Sequence, residues 1–150
     1  MRATALAFAF LAALAAPAWA QPGPAPAGPA RFAPEIAAFA AADRAHMPPP
    51  CGFLFVGSSS IRFWKTLAAD MAPAPAVNRG FGGSTVADVD YYFDQVVTPY
   101  RPRAIVFYAG ENDLNAGAAP GAVTADFARF MDLKTRALGA APVYFISLKP

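Results

Sequence analysis

The sequence predicts an α/β fold, a flavodoxin-like three-layer α/β/α sandwich built on a parallel sheet. Four short apolar runs alternate with segments of helical periodicity, and each run is apolar throughout rather than at every second position. Strands of that kind are buried on both faces, as in a parallel sheet covered by helices. With right-handed crossovers, the flavodoxin-like topology gives the strand order 2-1-3-4.

The first twenty residues have the pattern of a secretory signal peptide. Arg2 provides the positive start, residues 5–16 form an apolar run, and Ala18-Trp19-Ala20 is a cleavage site. The pattern predicts export to the periplasm or secretion, with no membrane span after the signal is removed. Residues 21–31 are rich in Pro, Gly and Ala and predict a disordered linker, so the domain is expected over residues 32–150.

The elements of this domain follow from periodicity and from breakers. A helix is predicted over residues 33–45, ended by the proline run at 48–50. The strands are predicted at residues 52–56, 76–78, 104–108 and 143–148. The helices between them are predicted at 61–69, from after Ser84 to about 97, and at 123–138. Cys51, at the start of the first strand, is expected to be a small buried hydrophobe, because a single cysteine forms no internal disulfide.

Composition and motif spacing exclude several classes of function. The formal net charge of +2 gives no electrostatic footprint for nucleic acid. Gly80-x-Gly82 begins like a dinucleotide-binding fingerprint, but Thr85 stands where the third glycine is needed, and no Gly-Lys-Ser/Thr phosphate loop is present. His, Cys and carboxylate residues show no metal-ligand spacing.

Three polar blocks follow successive predicted strands: residues 57–60, 78–84 and 110–113. Each has a purely structural interpretation, respectively a helix N-cap, a glycine turn and a capping loop. Because the carboxyl ends of parallel strands meet at one edge, the three blocks are expected to line a common rim. Their occurrence together favours a reaction site over three unrelated turns.

These blocks resemble the SGNH hydrolases, also called the GDSL esterase/lipase family, over about residues 52–150. The likeness is to bacterial exported members whose first block reads Gly-Ser-Ser-Ser-Ile-Arg. It implies a nucleophile at Ser59, an oxyanion glycine at Gly83 in Asn-Arg-Gly-Phe-Gly-Gly-Ser, and an oxyanion asparagine at Asn112 in Tyr-Ala-Gly-Glu-Asn-Asp. Ser58 occupies the place where many members carry an aspartate.

The resemblance implies acyl transfer from esters or thioesters, with small-molecule, lipid or carbohydrate ester substrates and no metal or organic cofactor. A Ser59 Oγ attack would generate an oxyanion held by backbone N–H groups of Ser59 and Gly83 and by the Asn112 amide. Asp88, in the first turn of its helix, is expected to be structural. Arg62 and Arg79 flank the rim, and the oligomeric state is left open.

One part of the family pattern is missing, since these 150 residues hold no late Asp-x-x-His block. His46 lies before the first strand and is expected at a helix end, away from the rim. We expect the aspartate–histidine pair, a fifth strand and a closing helix to follow Pro150. Two alternatives remain: an inactive remnant or binding module of the same fold, and, less favoured, a nucleotide-binding flavodoxin-like domain.

Overall fold

The structure is a computed structural model that describes residues 28–149, so the predicted signal and residues 21–27 of the predicted linker lie outside the described residues. The helices are α1 (Ala33–Ala45), α2 (Ser59–Arg62), α3 (Leu67–Asp70), α4 (Val86–Tyr91), α5 (Phe93–Val96), α6 (Glu111–Asn115) and α7 (Pro120–Leu138). The strands are β1 (Phe53–Gly57), β2 (Ala76–Gly80), β3 (Ala104–Tyr108) and β4 (Val143–Phe145). Short 3₁₀ helices cover Gly28–Phe32 and Thr98–Tyr100.

The four strands form one parallel sheet in the order β2-β1-β3-β4, which confirms the predicted fold class and strand order. The register aligns the strand ends closely: Gly57 of β1 lies opposite Gly80 of β2 on one side and Tyr108 of β3 on the other. The polar blocks that follow these strands therefore leave the sheet at the same level.

Both faces of the sheet are covered at β1 and β3, as their apolar composition predicts, whereas Tyr144 and Phe145 of β4 are exposed. Leu54 and Val56 of β1 and Phe107 of β3 are fully buried in the larger core, which includes residues of α1, α4, α5 and α7. Phe55 and Tyr108 face the smaller core with residues of α2 and α3. Each such buried apolar side chain contributes roughly 1.5–3 kcal/mol relative to exposure.

Two predicted helices are each divided in the structure. The segment 61–69 forms α2 and α3, because Trp64 Nε1 and Thr66 Oγ1 donate to the Asp70 carboxylate at 2.5 and 2.7 Å and hold the chain between them in a turn. The segment after Ser84 forms α4 and α5, which meet at Tyr92. The apolar residues of this segment at helical spacing are all buried: Val86, Val89, Phe93, Val96 and Val97.

Local predictions also differ at strand ends and at the N-terminus. β4 ends at Phe145 instead of Leu148, and the hydrogen bond from Ile146 N–H to the carbonyl of Phe107 follows directly after its last paired residue. The expectation for Cys51 is wrong: it is exposed, with φ of +63°, in the turn before β1. Residues 28–31, assigned to the linker from composition, belong to a 3₁₀ helix that Phe32 anchors in the core.

Candidate active site

The three polar blocks are called here the serine block (residues 57–60), the glycine block (78–84) and the asparagine block (110–113). The serine block begins at a backbone turn that requires glycine. Gly57 has φ of +136°, and a Cβ atom there would lie 1.9 Å from the carbonyl oxygen of Tyr108. Ser58 follows as the N-cap residue of α2, with its N–H donating to the same Tyr108 carbonyl at 2.8 Å. Ser59 is half-buried. Because it is the first residue of α2, its backbone N–H has no acceptor within the helix.

The glycine block is bound to the serine block through one carbonyl. Phe81 N–H and Ser84 Oγ donate to the carbonyl oxygen of Gly57 at 2.9 and 3.2 Å. Gly83 lies between these two residues, is exposed, and has φ of +83°. The glycine is thus required by the turn, and its N–H makes no hydrogen bond to any residue that the structure describes.

The asparagine block is a helix and not the loop that its composition suggests. Asn112 lies in α6 and donates through Nδ2 to the carbonyl oxygen of Ser84 at 2.9 Å. An amide nitrogen carries two hydrogens, so this bond leaves one of them available. Asp113 accepts from Val86 N–H at 3.1 and 3.2 Å, and burial raises the pKa of its carboxyl group. Hydrogen bonds therefore join the blocks carrying Ser59, Gly83 and Asn112.

Two charged residues near the rim have structural contacts. Thr85 and Asp88 form a capping box at the start of α4, with hydrogen bonds of 3.0 and 3.1 Å, which confirms the structural prediction for Asp88. The Arg79 guanidinium is buried and contacts the Asp43 carboxylate and the Tyr100 hydroxyl. Burial, together with the hydrogen bond to Asp43, raises the pKa of Tyr100 to about 12. Arg79 therefore ties β2 to α1 instead of lining the rim.

The structure adds a polar cluster that the motifs do not reveal. Lys149 Nζ donates to Ser60 Oγ at 3.4 Å and lies 5.8 Å from the centre of the Tyr108 ring. The Tyr108 hydroxyl is buried, and this burial raises its pKa. The neighbouring Glu111 carboxylate raises the pKa of Tyr108 further. The sequence feature that could have predicted Tyr108 as part of this cluster is its position at the end of a strand, just before the asparagine block.

His46, the single histidine of the sequence, does not join this group. It is the C-cap residue of α1, is exposed, and precedes the start of β1, as predicted. Its backbone N–H donates to the Ala42 carbonyl of α1, and no hydrogen bond among the described residues joins His46 to the serine, glycine or asparagine block.

An open apolar cavity of about 470 Å³ adjoins the asparagine block. Its lining is apolar apart from one threonine: Leu114, Pro120, Val123, Thr124, Phe127, Phe145 and Leu148. A Cβ atom on Gly110 would lie 3.1 Å from Leu148 and 3.3 Å from Val123, so these two lining side chains pack closely against the glycine.

Residues 28–149 hold no group of three His, Cys, Asp or Glu side chains arranged to bind a metal ion. Within the same residues, no helix combines the length and apolar character needed to cross a membrane. The chemistry available at the rim consists of serine hydroxyls, exposed or half-exposed amide donors and the neighbouring polar cluster.

Comparison with solved structures identifies proteins of the same fold. A candidate platelet activating factor from Streptococcus pneumonia has a TM-score of 0.69 and 16% identity, over 77% of this chain and 53% of that one. A GDSL-like lipase from Bacteroides thetaiotaomicron has a TM-score of 0.63 and 19% identity, over 73% and 56%. AlinE4, a SGNH-hydrolase family esterase, has a TM-score of 0.56 and 18% identity, over 69% and 62%.

No protein-family model matches the chain, and no curated protein matches its sequence. At 16–19% identity these structural matches establish the fold, which is that of SGNH-type esterases and lipases. The matched region spans between 53 and 62% of the length of the three solved chains.

Proposed function

We propose that this protein is a serine hydrolase that cleaves esters or thioesters by acyl transfer. In this proposal Ser59 is the nucleophile, and the N–H groups of Ser59 and Gly83 and the side-chain amide of Asn112 bind the oxyanion. The supporting observation is the hydrogen-bonded path that runs from the Gly57 carbonyl through Ser84 to Asn112, which ties the three blocks together. The shared fold with known esterases agrees with this chemistry.

The proposed reaction proceeds through two tetrahedral intermediates. Ser59 Oγ attacks the acyl carbon while its proton passes to a base, and the carbonyl oxygen becomes an oxyanion. Neutral amide donors stabilise that charge in the transition state, and collapse expels the alcohol or thiol, which takes the proton from the base and leaves an acyl-serine. Water then attacks the acyl-serine and gives one proton to the base, and the second collapse releases the carboxylic acid as that proton passes to Ser59 Oγ.

The identity of the base separates this proposal from the second candidate function. Without a base, a serine hydroxyl is a weak nucleophile near pH 7, and His46 makes no hydrogen bond to the serine block among the described residues. This observation favours, as the second candidate, a binding module of the same fold that retains the cleft without turnover. The two candidates differ in whether Ser59 becomes reactive when a base is supplied.

The proposed substrates are lipid esters, thioesters and acetylated sugars, since no contact among the described residues favours one class over another. The apolar cavity beside Leu114 of α6 is the proposed space for an apolar group of such an ester. We also propose export of the protein, on the basis of Arg2, the apolar run at 5–16 and the Ala18-Trp19-Ala20 site.

Covalent labelling tests the proposed nucleophile. The protein is incubated with a fluorophosphonate in buffers with and without imidazole, which serves as an external base, and the labelled residue is located by mass spectrometry. We expect labelling at Ser59 that accelerates with imidazole and disappears in Ser59→Ala, while Ser60→Ala still labels. Absence of labelling in imidazole at any concentration would support the binding module, and labelling that persists in Ser59→Ala would refute the assignment.

A further inference from the structure

The N-terminal 3₁₀ helix, Gly28–Phe32, is bound to the glycine block from outside the sheet. Phe32 is buried and packs edge-on against Phe81, with ring centres 5.0 Å apart. On the other side, the Tyr92 hydroxyl donates to the carbonyl oxygen of Pro29 at 2.9 Å. The residue between these two anchors, Arg31, is therefore held at a fixed place beside the loop.

Arg31 connects the loop to the helix that follows it. Its Nη2 atom donates to the Gly83 carbonyl at 3.4 Å and to the Asp88 carboxylate at 3.1 Å, and its guanidinium lies over the Phe32 ring. The same Asp88 oxygen accepts from Thr85 N–H at 3.0 Å. One cation thus restrains the loop on both sides of Ser84, at Gly83 and at the first turn of α4.

The Gly83 carbonyl belongs to the peptide whose N–H, that of Ser84, donates to the Phe81 carbonyl at 3.4 Å, but no side chain packs around Gly83 itself. It is exposed, and a Cβ atom built on it would meet nothing within 4 Å, so packing does not fix its backbone. Glycine has more backbone freedom than any other residue, which makes an unrestrained glycine a poorly oriented hydrogen-bond donor. A bond to its carbonyl oxygen limits rotation about the same Cα atom to which its N–H is attached.

We propose that Arg31 is a positioning residue that orients the Gly83 peptide for oxyanion binding. The inference rests on the proposed function, because it takes the Gly83 N–H as a donor to the oxyanion. Arg31 itself touches no reacting atom in this scheme. Its effect is to hold a donor in place before substrate arrives, and such preorganisation is what makes a donor effective in catalysis.

The proposal is tested in the intact chain with Arg31→Ala, Arg31→Lys and a matched control, Arg44→Ala, which removes an exposed arginine at the end of α1. The first readout is the ¹H–¹⁵N resonance of the Gly83 amide. We expect this resonance to shift or broaden in Arg31→Ala, to return part of the way in Arg31→Lys, and to stay unchanged in Arg44→Ala.

The second readout is the rate of fluorophosphonate labelling at Ser59 in imidazole. A donor displaced by a fraction of an ångström should lower the maximal labelling rate roughly tenfold in Arg31→Ala, with unchanged half-saturation by the probe. If Arg31→Ala does not fold, Asp88→Asn replaces it, since it removes the charge that Arg31 contacts and keeps a side-chain oxygen for the cap.

The two readouts separate this inference from the proposed function. A Gly83 resonance that is identical in Arg31→Ala and wild type overturns the positioning role, even where Ser59 labels normally. An altered Gly83 resonance in a protein that never labels at Ser59 refutes the hydrolase proposal and leaves Arg31 as an organiser of the loop. Equal labelling rates in Arg31→Ala and Arg44→Ala also overturn the inference.

Discussion

Replacing Asp90 with asparagine should remove a pH dependence of stability that this carboxylate imposes. The Asp90 side chain is 5% exposed on α4, and both of its oxygens are buried without a hydrogen-bond partner among the described residues. The nearest cation, Arg129 of α7, is 3.9 Å away and also contacts Asp126 at 3.1 Å. Burial outweighs the attraction of Arg129 and raises the pKa of Asp90 to about 7.

The direction of the effect follows from comparing the folded and unfolded chains. An unfolded Asp90 titrates near its ordinary pKa of 3.8, so between there and about 7 the folded state holds a proton that the unfolded state has lost. Stability is therefore greatest below that range and falls as the pH rises through it. At about 1.4 kcal/mol per pKa unit the full loss is roughly 4 kcal/mol, of which roughly 2–3 kcal/mol falls between pH 5 and pH 8.

The assay is urea unfolding at pH 5 and pH 8, followed by circular dichroism, for wild type, Asp90→Asn and Asp132→Asn. Asp132 is exposed on the same helix as Arg129 and serves as the matched control. We expect Asp90→Asn to be the more stable protein at pH 8 by at least about 2 kcal/mol, and to differ much less from wild type at pH 5. A difference between Asp90→Asn and wild type that is the same at both pH values would refute the reasoning.

Two further substitutions test the turn and the oxyanion donor. Gly57→Ala would place a Cβ atom 1.9 Å from the Tyr108 carbonyl and should cost at least about 4 kcal/mol in urea unfolding; Gly121→Ala, with open space around it, should change stability by less than about 1 kcal/mol. Asn112→Ala should lower the imidazole-assisted labelling rate of Ser59 by about 10²-fold, while the exposed neighbour Asn115→Ala leaves it unchanged. Labelling at the wild-type rate in Asn112→Ala would exclude the oxyanion role.

The sheet could be predicted from sequence because strand composition reports directly on burial. The predicted strand at 104–108 is β3 in full, and the predicted helix at 33–45 is α1. An apolar run such as Ala104–Tyr108 is stable only between two covering layers, so the layers follow from the composition of the strand. The order of strands then follows from the handedness of crossovers.

Helix continuity was harder to predict because it depends on side chains that meet only in three dimensions. The apolar spacing after Ser59 fits one helix, but Trp64 and Thr66 bind Asp70 and the chain turns between them. Cys51 was misplaced for a similar reason: its position follows from a turn with positive φ whose N–H donates to the Arg101 carbonyl, a partner distant in sequence.

The common position of the three polar blocks at one sheet edge could be predicted from sequence, but the contacts that hold them could not. Ser59, Gly83 and Asn112 follow strands that the apolar pattern identifies, and parallel pairing sets those strand ends side by side. Arg31 has no such signal, since it lies in a segment whose composition resembles a linker. A contact between residues 52 positions apart becomes visible only after the chain folds.

The arrangement of the three blocks depends mainly on backbone groups around Gly57. Its carbonyl oxygen accepts from the β2–α4 loop, and the next N–H, that of Ser58, donates to β3. The turn that carries Ser59 is thus bound on both sides by atoms that nearly every residue type possesses. Few side chains are needed to specify such a geometry, apart from a glycine where a Cβ would collide with the neighbouring strand.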